Sequence, residues 1–506
     1  MAKLKFESAK GTKDWYGKET LVRNSIRDTL RNVFEKYGYD RLETPPLEKM
    51  KSLAHKGGGE IQKEVFQLSD QGGRNLALRF DQTVPLARYI ASNPDLRFPF
   101  KRYAIGEVFR DGPTQPEQGR YRIFTQCDVD IVGVREMTAE AELLGLAQDA
   151  FEGLGMGEVE FKINNRKLLE GILDYAQIPQ EARTRTIVTL DKLDKIGVQG
   201  VEEELRGLKL YDESRNLSNK TLQDIFSEKQ GVEDCREEII SEVGMKGYQD
   251  IKDILVKGED LDYADIFRNV ADYNASGETI LSKDNIERLL GIFNMGQSNE
   301  EIFSKLENIV TSQVGVEGLN EVQNLLNYSR ALKFEEISLD PSLARGLDYY
   351  TGTTMEVYLK NKEECSSAIL AGGRFDDMVG DFCGGQNLPA VGFSFGLERL
   401  AMIKGRDMND KTVRQIYVVP IGNTQEGALG VCNQLRKNGL NVDMNLQKDL
   451  KVGKAIAYAD KAGIPYVGFV GDSELGENNI SLKDLENGEQ RTLPISSVCD
   501  YIANKE

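Results

Sequence analysis

Apolar residues near the start of the chain recur with a helical period. The segment ETLVRNSIRDTLRNVFEKY (19–37) places one apolar stripe on a predicted helix that Gly38 ends, and the stripe consists of Leu21, Ile26, Leu30, Val33 and Phe34. The next stretch, YDRLETPPLEKM, contains Pro45 and Pro46, which exclude both a helix and a central strand. The pattern therefore predicts an amphipathic helix followed by an extended segment.

From residue 101 to 132 the pattern changes to a period of two. The stretches KRYAIGEVFR and RYRIFTQCDVDIVG read as strands, and the loop DGPTQPEQG joins them. We expect an antiparallel hairpin with a long loop.

The rest of the chain shows two kinds of hydrophobic and polar pattern. Residues 167–335 are polar, acidic and helical in period, as in CREEIISEVG and NIERLLGIFN, and predict an inserted, mainly helical domain. Strand-like stretches return in TTMEVYL and AVGFSF, before the polar linker KGRDMNDKTVRQ (404–415). Beyond it, QIYVVPIG, LNVDMNL and IPYVGFVG alternate with helical segments, which predicts a small α/β domain.

Composition and charge narrow the classes of function. A chain of 506 residues has room for roughly three or four domains, and 40% hydrophobic with 29% charged residues is ordinary for a soluble globular protein. No apolar run approaches the ~20 residues that span a bilayer, and the N-terminus lacks the apolar centre of a secretory signal. The six cysteines form no C-x-x-C pair, which suits a reducing cytoplasm. The net charge of −18 belongs mainly to the middle segment, so other surfaces are free to meet RNA.

Common nucleotide-binding and imidazole-based sites are missing from the sequence. There is no P-loop and no G-x-G-x-x-G fingerprint. The single histidine, His55, lies in a polar KGGGE context that is typical of a surface loop, and a two-histidine metal site is excluded. We therefore expect function by positioning and charge rather than by imidazole acid–base chemistry.

The second strand of the hairpin separates polar from apolar side chains. Because side chains alternate along a strand, one face carries Arg122, Phe124, Gln126, Asp128 and Asp130. The opposite face is apolar and consists of Tyr121, Ile123, Cys127, Val129 and Ile131. A guanidinium, a ring, an amide and carboxylates in this order could serve a phosphate, a planar base and a small cation. Alternation alone leaves an ordinary half-buried strand equally open.

Five segments of the chain form a distinctive set: FRDGPTQPEQGRYRIFTQCDVD, AVGFSFGLERL (390–400), LARGLDYYTG (343–352), AGGRFDDMVG (371–380) and LRFDQTVPLARY (78–89). The first is similar to motif 2 and the second to motif 3 of the class II aminoacyl-tRNA synthetases. The third and fourth resemble two segments peculiar to one family of these enzymes, the histidyl-tRNA synthetases, and the fifth resembles that family's substrate loop. The resemblance runs from GTKDW at residue 11 to the C-terminus and is weakest in the middle segment.

The resemblance implies a histidine–tRNA ligase with ATP as substrate and Mg²⁺ between the β- and γ-phosphates. Such an enzyme makes histidyl-adenylate and pyrophosphate, then moves histidine to the 3′ end of its tRNA. Arg110 and Arg345 would act at the α-phosphate. Phe124 would stack on adenine, with Arg120 and Arg399 at the outer phosphates and Glu398 nearby. Metal ligands stay unassigned.

Recognition of histidine is implied in the same way. Asp81, Thr83 and Gln126 would hold the α-amino group, while Asp130 and Tyr350 would hold the two imidazole nitrogens. The remaining predicted contacts are Tyr349, beside Tyr350, and Gly392, where a glycine allows close backbone approach.

The implied fold class is α+β. It consists of the class II antiparallel sheet flanked by helices, a helical insertion domain and a C-terminal α/β anticodon-binding domain. The predicted boundaries are 1–166 and 336–410 for the two parts of the catalytic domain, 167–335 for the insertion and 411–506 for the anticodon-binding domain. The family also implies a homodimer formed around the Pro45-Pro46 segment, a cytoplasmic location and no membrane contact.

Three departures and three alternatives accompany this prediction. Phe375 stands where the family usually has Tyr, Thr125 replaces a more usual aromatic or histidine, and the insertion is long and acidic. A histidine-binding regulatory paralogue of a phosphoribosyltransferase, a silent tRNA sensor and another class II specificity, such as threonine or proline, are the other readings. The arginines at 110, 120, 345 and 399 and the presence of residues 415–506 disfavour the first two.

Overall fold

The computed structural model describes most of the chain, namely residues 6–54, 64–156, 158–211, 275–293, 298–334, 336–344, 350–406, 408, 411–447 and 451–504. Its α-helices are α1 Lys18–Lys36, α2 Met50–Leu53, α3 Thr83–Ala91, α4 Thr138–Gly153, α5 Arg166–Tyr175, α6 Gln180–Leu190, α7 Leu193–Arg206, α8 Lys283–Ile292, α9 Asn299–Ile309, α10 Gln313–Ala331, α11 Asp376–Phe382, α12 Leu397–Lys404, α13 Gln425–Lys437, α14 Val452–Ala462, α15 Asp472–Gly476 and α16 Val498–Ala503. No helix in these ranges is both long enough and apolar enough to cross a bilayer.

The strands alternate with these helices. They are β1 Asp40–Arg41, β2 Leu47–Lys49, β3 Gln67–Ser69, β4 Asn75–Leu78, β5 Phe100–Phe109, β6 Ile123–Val132, β7 Val159–Asn165, β8 Lys209–Tyr211, β9 Ala275–Thr279, β10 Ile337–Leu339, β11 Thr353–Leu359, β12 Leu370–Arg374, β13 Ala390–Gly396, β14 Ile416–Pro420, β15 Val442–Met444, β16 Tyr466–Val470, β17 Asn479–Asp484 and β18 Gln490–Pro494.

A large sheet forms the centre of the molecule. Its eight strands run in the order β1-β5-β6-β13-β12-β11-β7-β10. Every neighbouring pair is antiparallel except the two outermost pairs, β1 with β5 and β10 with β7. The predicted antiparallel sheet flanked by helices is confirmed.

The predicted hairpin forms the second and third strands of this sheet. Strands β5 and β6 pair over their full length, from Phe100 opposite Val132 to Phe109 opposite Ile123. Cys127 and Val129 point into the main core, where helix α1 buries Ile26, Leu30 and Phe34 of its predicted stripe. The opposite face of β6 is therefore the one left for the polar side chains.

The proline-containing segment behaves as its backbone chemistry requires. Pro45 and Pro46 fall between β1 and β2, and β2 is an edge strand of a small sheet with the order β2-β4-β3. A proline cannot donate to a neighbouring strand, so it lies outside the regular pairing.

The middle segment shares the main core with the sheet. Buried residues of α5, α6, α8 and α10 belong to the same cluster as those of β6 and β13. NIERLLGIFN contains most of α8, whereas CREEIISEVG lies outside the described residues. The predicted limits of the insertion stay predictions, and the apolar core is continuous across residue 167.

Helices α5 and α10 approach each other closely where both carry glycine. A Cβ atom built on Gly318 would lie 2.2 Å from the Leu168 backbone nitrogen, and one on Gly171 would lie 2.5 Å from the Cα of Gly315. A side chain at these points would therefore collide with backbone atoms.

The C-terminal residues form a second sheet of five strands. Its order is β15-β14-β16-β17-β18; the first three strands are parallel and the last two antiparallel. Separate apolar clusters built from residues 416–502 fill the space between this sheet and its helices. The predicted α/β domain at the end of the chain is confirmed.

Candidate active site

A cavity of about 430 Å³ opens beside the polar face of β6. Strands β6, β12 and β13 line it together with the segment before α3, the end of β5 and the start of α12. The predicted site residues that line it are Asp81, Thr83, Arg110, Phe124, Gln126, Asp130, Tyr350, Gly392 and Arg399. Segments far apart in the sequence thus meet at one place.

One end of the cavity carries positive charge and an aromatic ring. Arg110 follows β5, its Nε donates to the Phe80 carbonyl at 3.0 Å, and its guanidinium carbon lies 5.1 Å from the centre of the Phe124 ring. Arg399, in the first turn of α12, donates from Nη1 to the Ala368 carbonyl at 2.7 Å. Both guanidiniums are held by a backbone carbonyl, and a guanidinium carries five N–H donors in a planar fork whose geometry suits an anion such as a phosphate.

The other end of the cavity carries carboxylates. Asp81 accepts a hydrogen bond from the Val84 backbone nitrogen at 3.1 Å, at the start of α3. Loss of water around this carboxyl raises its pKa to about 6. On β6, burial is also the main cause that raises the pKa of Asp128, and it raises the pKa of Asp130 to about 7.

Gly392 gives Asp130 its space. The two residues are direct neighbours on β13 and β6, and a Cβ atom on Gly392 would lie 2.1 Å from Asp130 Oδ1. Only a glycine at this position leaves the Asp130 carboxylate in place.

Four buried polar atoms of lining residues make no hydrogen bond within the described part of the chain. They are Gln126 Oε1, Asp128 Oδ1, Ser394 Oγ and Asp130 Oδ2, of which the last is ion-paired with Arg102 Nη2 at 2.7 Å. Buried acceptors without donors are costly, so this end of the cavity favours a ligand that brings N–H groups and positive charge. The ammonium and ring N–H of an amino acid such as histidine have that chemistry.

Several predicted residues lie elsewhere. Arg120 is half-exposed on the motif 2 loop, with Nη2 3.9 Å from Glu64 Oε1, and Glu64 is itself a lining residue. Arg345 and Tyr349, like His55, lie outside the described residues. Arg122 precedes β6 and pairs with Asp111 at 3.1 Å, so it does not continue the polar face into the cavity.

Glu398 also differs from its predicted position. It is buried outside the cavity lining, both its carboxylate oxygens accept from the Thr125 nitrogen at 3.0 Å, and Arg23 Nη1 lies 2.6 Å from Oε1. The Arg23 guanidinium in turn lies 4.2 Å from the ring centre of Trp15. Glu398 therefore ties α12 to β6 and α1, because its oxygens are already occupied by groups from those elements.

Thr125 and Phe375, which differ from the residues usual in the family, contact different parts of the protein. The Thr125 hydroxyl faces α1, where it accepts hydrogen bonds from Arg23 Nη2 at 3.1 Å and Arg27 Nη2 at 3.2 Å. Phe375 is buried in an apolar cluster with Val132 and Ala390 and also lines the cavity. Its ring therefore contributes packing where a tyrosine would add a hydroxyl.

Sequence reasoning missed Arg102 and Gln82. Arg102 is 1% exposed and sits directly opposite Asp130 in the β5–β6 pairing. The predicted hairpin contains both residues, but its long loop left the register open, and only the folded structure pairs this arginine with that aspartate. Gln82 lies between two predicted histidine contacts, and only the folded structure reveals its amide contact with the Gln126 carbonyl at 3.0 Å.

Comparison with known proteins agrees with this geometry. The family profile described as histidyl-tRNA synthetase matches residues 11–241 and 239–400, and one described as anticodon binding domain matches residues 415–505. The chain belongs to the histidyl-tRNA synthetase family. Histidine–tRNA ligase 1 of Bacillus cereus is 36% identical over 99% of this chain and 100% of its own length. Histidine–tRNA ligase of Clostridium tetani is 32% identical over 96% of this chain and 95% of its own length.

Solved structures extend the family relationship to the fold. The crystal structure of histidyl-tRNA synthetase from Nostoc sp. PCC 7120 has a TM-score of 0.74 and 27% identity, and the match covers 100% of both chains. An ATP phosphoribosyltransferase regulatory subunit/histidyl-tRNA synthetase from Bacillus halodurans has a TM-score of 0.67 at 19% identity, with 93% of this chain and 100% of that chain covered. The second likeness is one of fold alone.

Proposed function

We propose that the protein is a histidine–tRNA ligase that consumes ATP. The observation that carries this proposal is one cavity whose lining combines the guanidiniums of Arg110 and Arg399 with the carboxylates of Asp81 and Asp130. A triphosphate suits the guanidiniums, and an amino acid with basic nitrogens suits the carboxylates. Relationship over nearly the full length of histidine–tRNA ligases supports the same activity.

Activation is an in-line attack of the histidine carboxylate on the α-phosphorus of ATP. The new bond is carboxyl oxygen to phosphorus, and the bond that breaks releases pyrophosphate. A carboxylate is already ionised at neutral pH, so the step needs no protein base. Arg110 stabilises the negative charge that develops on the α-phosphate, and Arg345 is proposed to lie beside it.

The nucleotide occupies the end of the cavity that holds Phe124. Its adenine stacks on that ring, and Arg399 and Arg120 contact the outer phosphates. Magnesium enters with ATP as part of the substrate, bridging the β- and γ-phosphates.

Histidine is selected at the acidic end. Asp81, Thr83 and Gln126 hold its α-amino group, while Asp130 and Tyr350, with Tyr349 adjacent in sequence, satisfy the ring nitrogens. An amino acid without those nitrogens leaves the Asp130 carboxylate buried and without its ligand, and such pockets reject analogues by about 10⁴-fold or more.

Transfer to tRNA completes the reaction. The hydroxyl of the terminal ribose attacks the acyl carbon of the adenylate, an ester forms and AMP leaves. The C-terminal domain, residues 415–505, binds the anticodon loop, whose unpaired bases can be stacked and hydrogen-bonded. The protein acts as a homodimer in the cytoplasm, with the Pro45-Pro46 region at the interface.

The test is histidine-dependent exchange of labelled pyrophosphate into ATP. We expect exchange with histidine alone among the amino acids, and a loss of about 100-fold in Arg110→Ala because one charge contact to the reacting phosphate is removed. Arg345→Ala should lose a similar factor. Arg330→Ala, which removes an exposed arginine paired with Glu300, is the matched control and should retain full exchange.

One result would replace this proposal with the regulatory alternative. A folded protein that binds histidine yet catalyses no exchange would act as a histidine sensor. The anticodon-binding domain at residues 415–505 already weighs against that alternative, since a regulatory subunit has no need of one.

A further inference from the structure

Arg102 is a buried cation directly beneath the acidic end of the cavity. Its Nη2 atom lies 2.7 Å from Asp130 Oδ2 and 4.0 Å from Asp128 Oδ2. The same nitrogen donates to the Gln82 carbonyl at 3.1 Å. This guanidinium does not line the cavity, so it acts on a ligand only through the groups it touches.

Gln82 links Arg102 to the part of the histidine pocket that is proposed to hold the α-amino group. It stands between Asp81 and Thr83 and is buried, and its Nε2 donates to the Gln126 carbonyl at 3.0 Å. Arg102 therefore joins the proposed imidazole acceptor to the segment that is proposed to hold the α-amino group.

Charged and titratable groups surround Asp130 on every side. Strand β6 contributes Asp128, the β4–α3 connection contributes Asp81, and β5 contributes Arg102. Tyr39 lies close enough for Asp130 to help raise its pKa, although its hydroxyl donates to Glu142 at 2.9 Å, and Tyr350 lines the same cavity. Arg79 and Arg110 also lower the pKa of Asp128, whereas Arg102 is the one cation that lowers the pKa of Asp130 among the described groups that shift it.

The balance of these charges determines whether the Asp130 side chain is protonated or ionised. Burial and the two neighbouring carboxylates favour its protonated form, and Arg102 favours the ionised form. A protonated carboxyl carries no charge and one of its oxygens becomes a donor, so it is a weaker acceptor for a ring N–H than the carboxylate.

We propose that Arg102 is a positioning residue for histidine recognition, which keeps Asp130 ionised and aligned with the Asp81–Thr83 segment. This inference rests on the proposed function, since it assigns the imidazole to Asp130. Asp128 opposes Arg102 in this arrangement, because its charge favours protonation of Asp130. Arg102 therefore lowers the pH below which histidine is used poorly, and Asp128 raises it.

The experiment measures kcat/KM for histidine in pyrophosphate exchange from pH 5.5 to 9, for wild type, Arg102→Met, Arg102→Lys and Asp128→Asn. We expect Arg102→Met to move the acidic limb to higher pH and to raise KM for histidine at least ~10-fold at pH 7, with KM for ATP within about threefold. Arg102→Lys keeps the charge and should leave the limb near that of wild type. Asp128→Asn should move the limb to lower pH.

Differences between variants are the readout, because free histidine itself titrates near ~6.5 in every sample. Arg88→Met is the control for loss of a partly buried, ion-paired arginine, here paired with Glu48, and should not move the limb. A raised KM with unmoved limbs in Arg102→Met and Asp128→Asn would leave Arg102 a purely structural role and overturn the proposal. If Arg102→Met does not fold, the limbs of Asp128→Asn and Arg102→Lys decide alone.

Failure of the proposed function gives a different pattern. Wild-type protein without histidine-dependent exchange rejects the ligase activity. Calorimetric titration of the same variants with histidine across pH then tests Arg102 independently, with the same opposite shifts expected and the same absence of shift overturning it.

Discussion

The carboxylate of Asp81 contacts the start of a helix and also lines the cavity. It accepts from the Val84 nitrogen at the start of α3 and lines the acidic end of the site. Its pKa of about 6 lies above the 3.8 that is usual for an aspartate, so the folded protein binds this proton more tightly than the unfolded chain. Stability from this group is therefore present at low pH and is lost as pH rises from about 4 to about 6.

Asp81→Asn should remove that pH dependence. An amide oxygen can still accept from Val84, but it carries no charge to desolvate, so the variant should gain about 1 kcal/mol relative to wild type between pH 5 and 7.5. Urea unfolding at the two pH values measures this. Asp95→Asn, at an exposed position, is the control and should show no such gain. An equal gain in both variants would contradict a specific role for Asp81.

Residue-level prediction succeeded where the alternation of side chains along a strand carries the information. The polar face of β6 from Phe124 to Asp130 borders the cavity, as its period of two indicated. Glu398 is the instructive difference, because its partners Arg23 and Thr125 lie 375 and 273 residues away in sequence. A motif specifies a residue type at a position, but it does not specify which distant groups occupy that residue's oxygens.

Helices α5 and α10 show how one element limits its neighbour. Glycines at 171, 315 and 318 let their backbones approach to distances that no side chain would permit. This packing also places α10 against β7 and α4, so it supports one flank of the central sheet. The apolar period predicted helices in this region. It did not predict their close approach, because glycine residues do not contribute to that period.

Gly318→Ala should therefore destabilise the protein by about 2 kcal/mol or more, since overpacking against backbone atoms forces the helices apart. Gly291→Ala is the matched control within an exposed part of α8, where an added Cβ meets nothing within 4 Å. It should stabilise by ~0.5–1 kcal/mol because alanine favours a helix. Chemical denaturation of both variants measures the pair; equal effects would refute the close-approach argument.

At the scale of the whole molecule, the apolar clusters of the described residues belong to two units. Residues 22–403 contribute the main core beneath the catalytic cavity, and residues 416–502 form separate clusters in the C-terminal domain. Activation of histidine involves only the first unit, whereas tRNA charging in our proposal needs both. The fold class was predictable because each unit has its own periodic pattern.

Leu435→Ala should separate the two activities. Leu435 is fully buried on α13, and its truncation costs ~2–5 kcal/mol in the C-terminal core. We expect tRNA charging at elevated temperature to fall well before pyrophosphate exchange, which should stay within about twofold of wild type. Leu146→Ala, an equally buried leucine on α4 in the main core, should reduce both activities together. Parallel loss in Leu435→Ala would show that the two units unfold as one.

The central position of β6 has a consequence for synthesis of the chain. Its partner β13 pairs Ser394 with Asp128, so the two residues are 266 positions apart. At ribosomal rates of ~5–20 residues per second, roughly 10–50 s pass between the appearance of one and of the other. During that interval β6 has β5 on one edge and an open edge on the other, a template for unwanted pairing with other chains. The nascent protein therefore depends on whatever shields that edge until its second half has emerged.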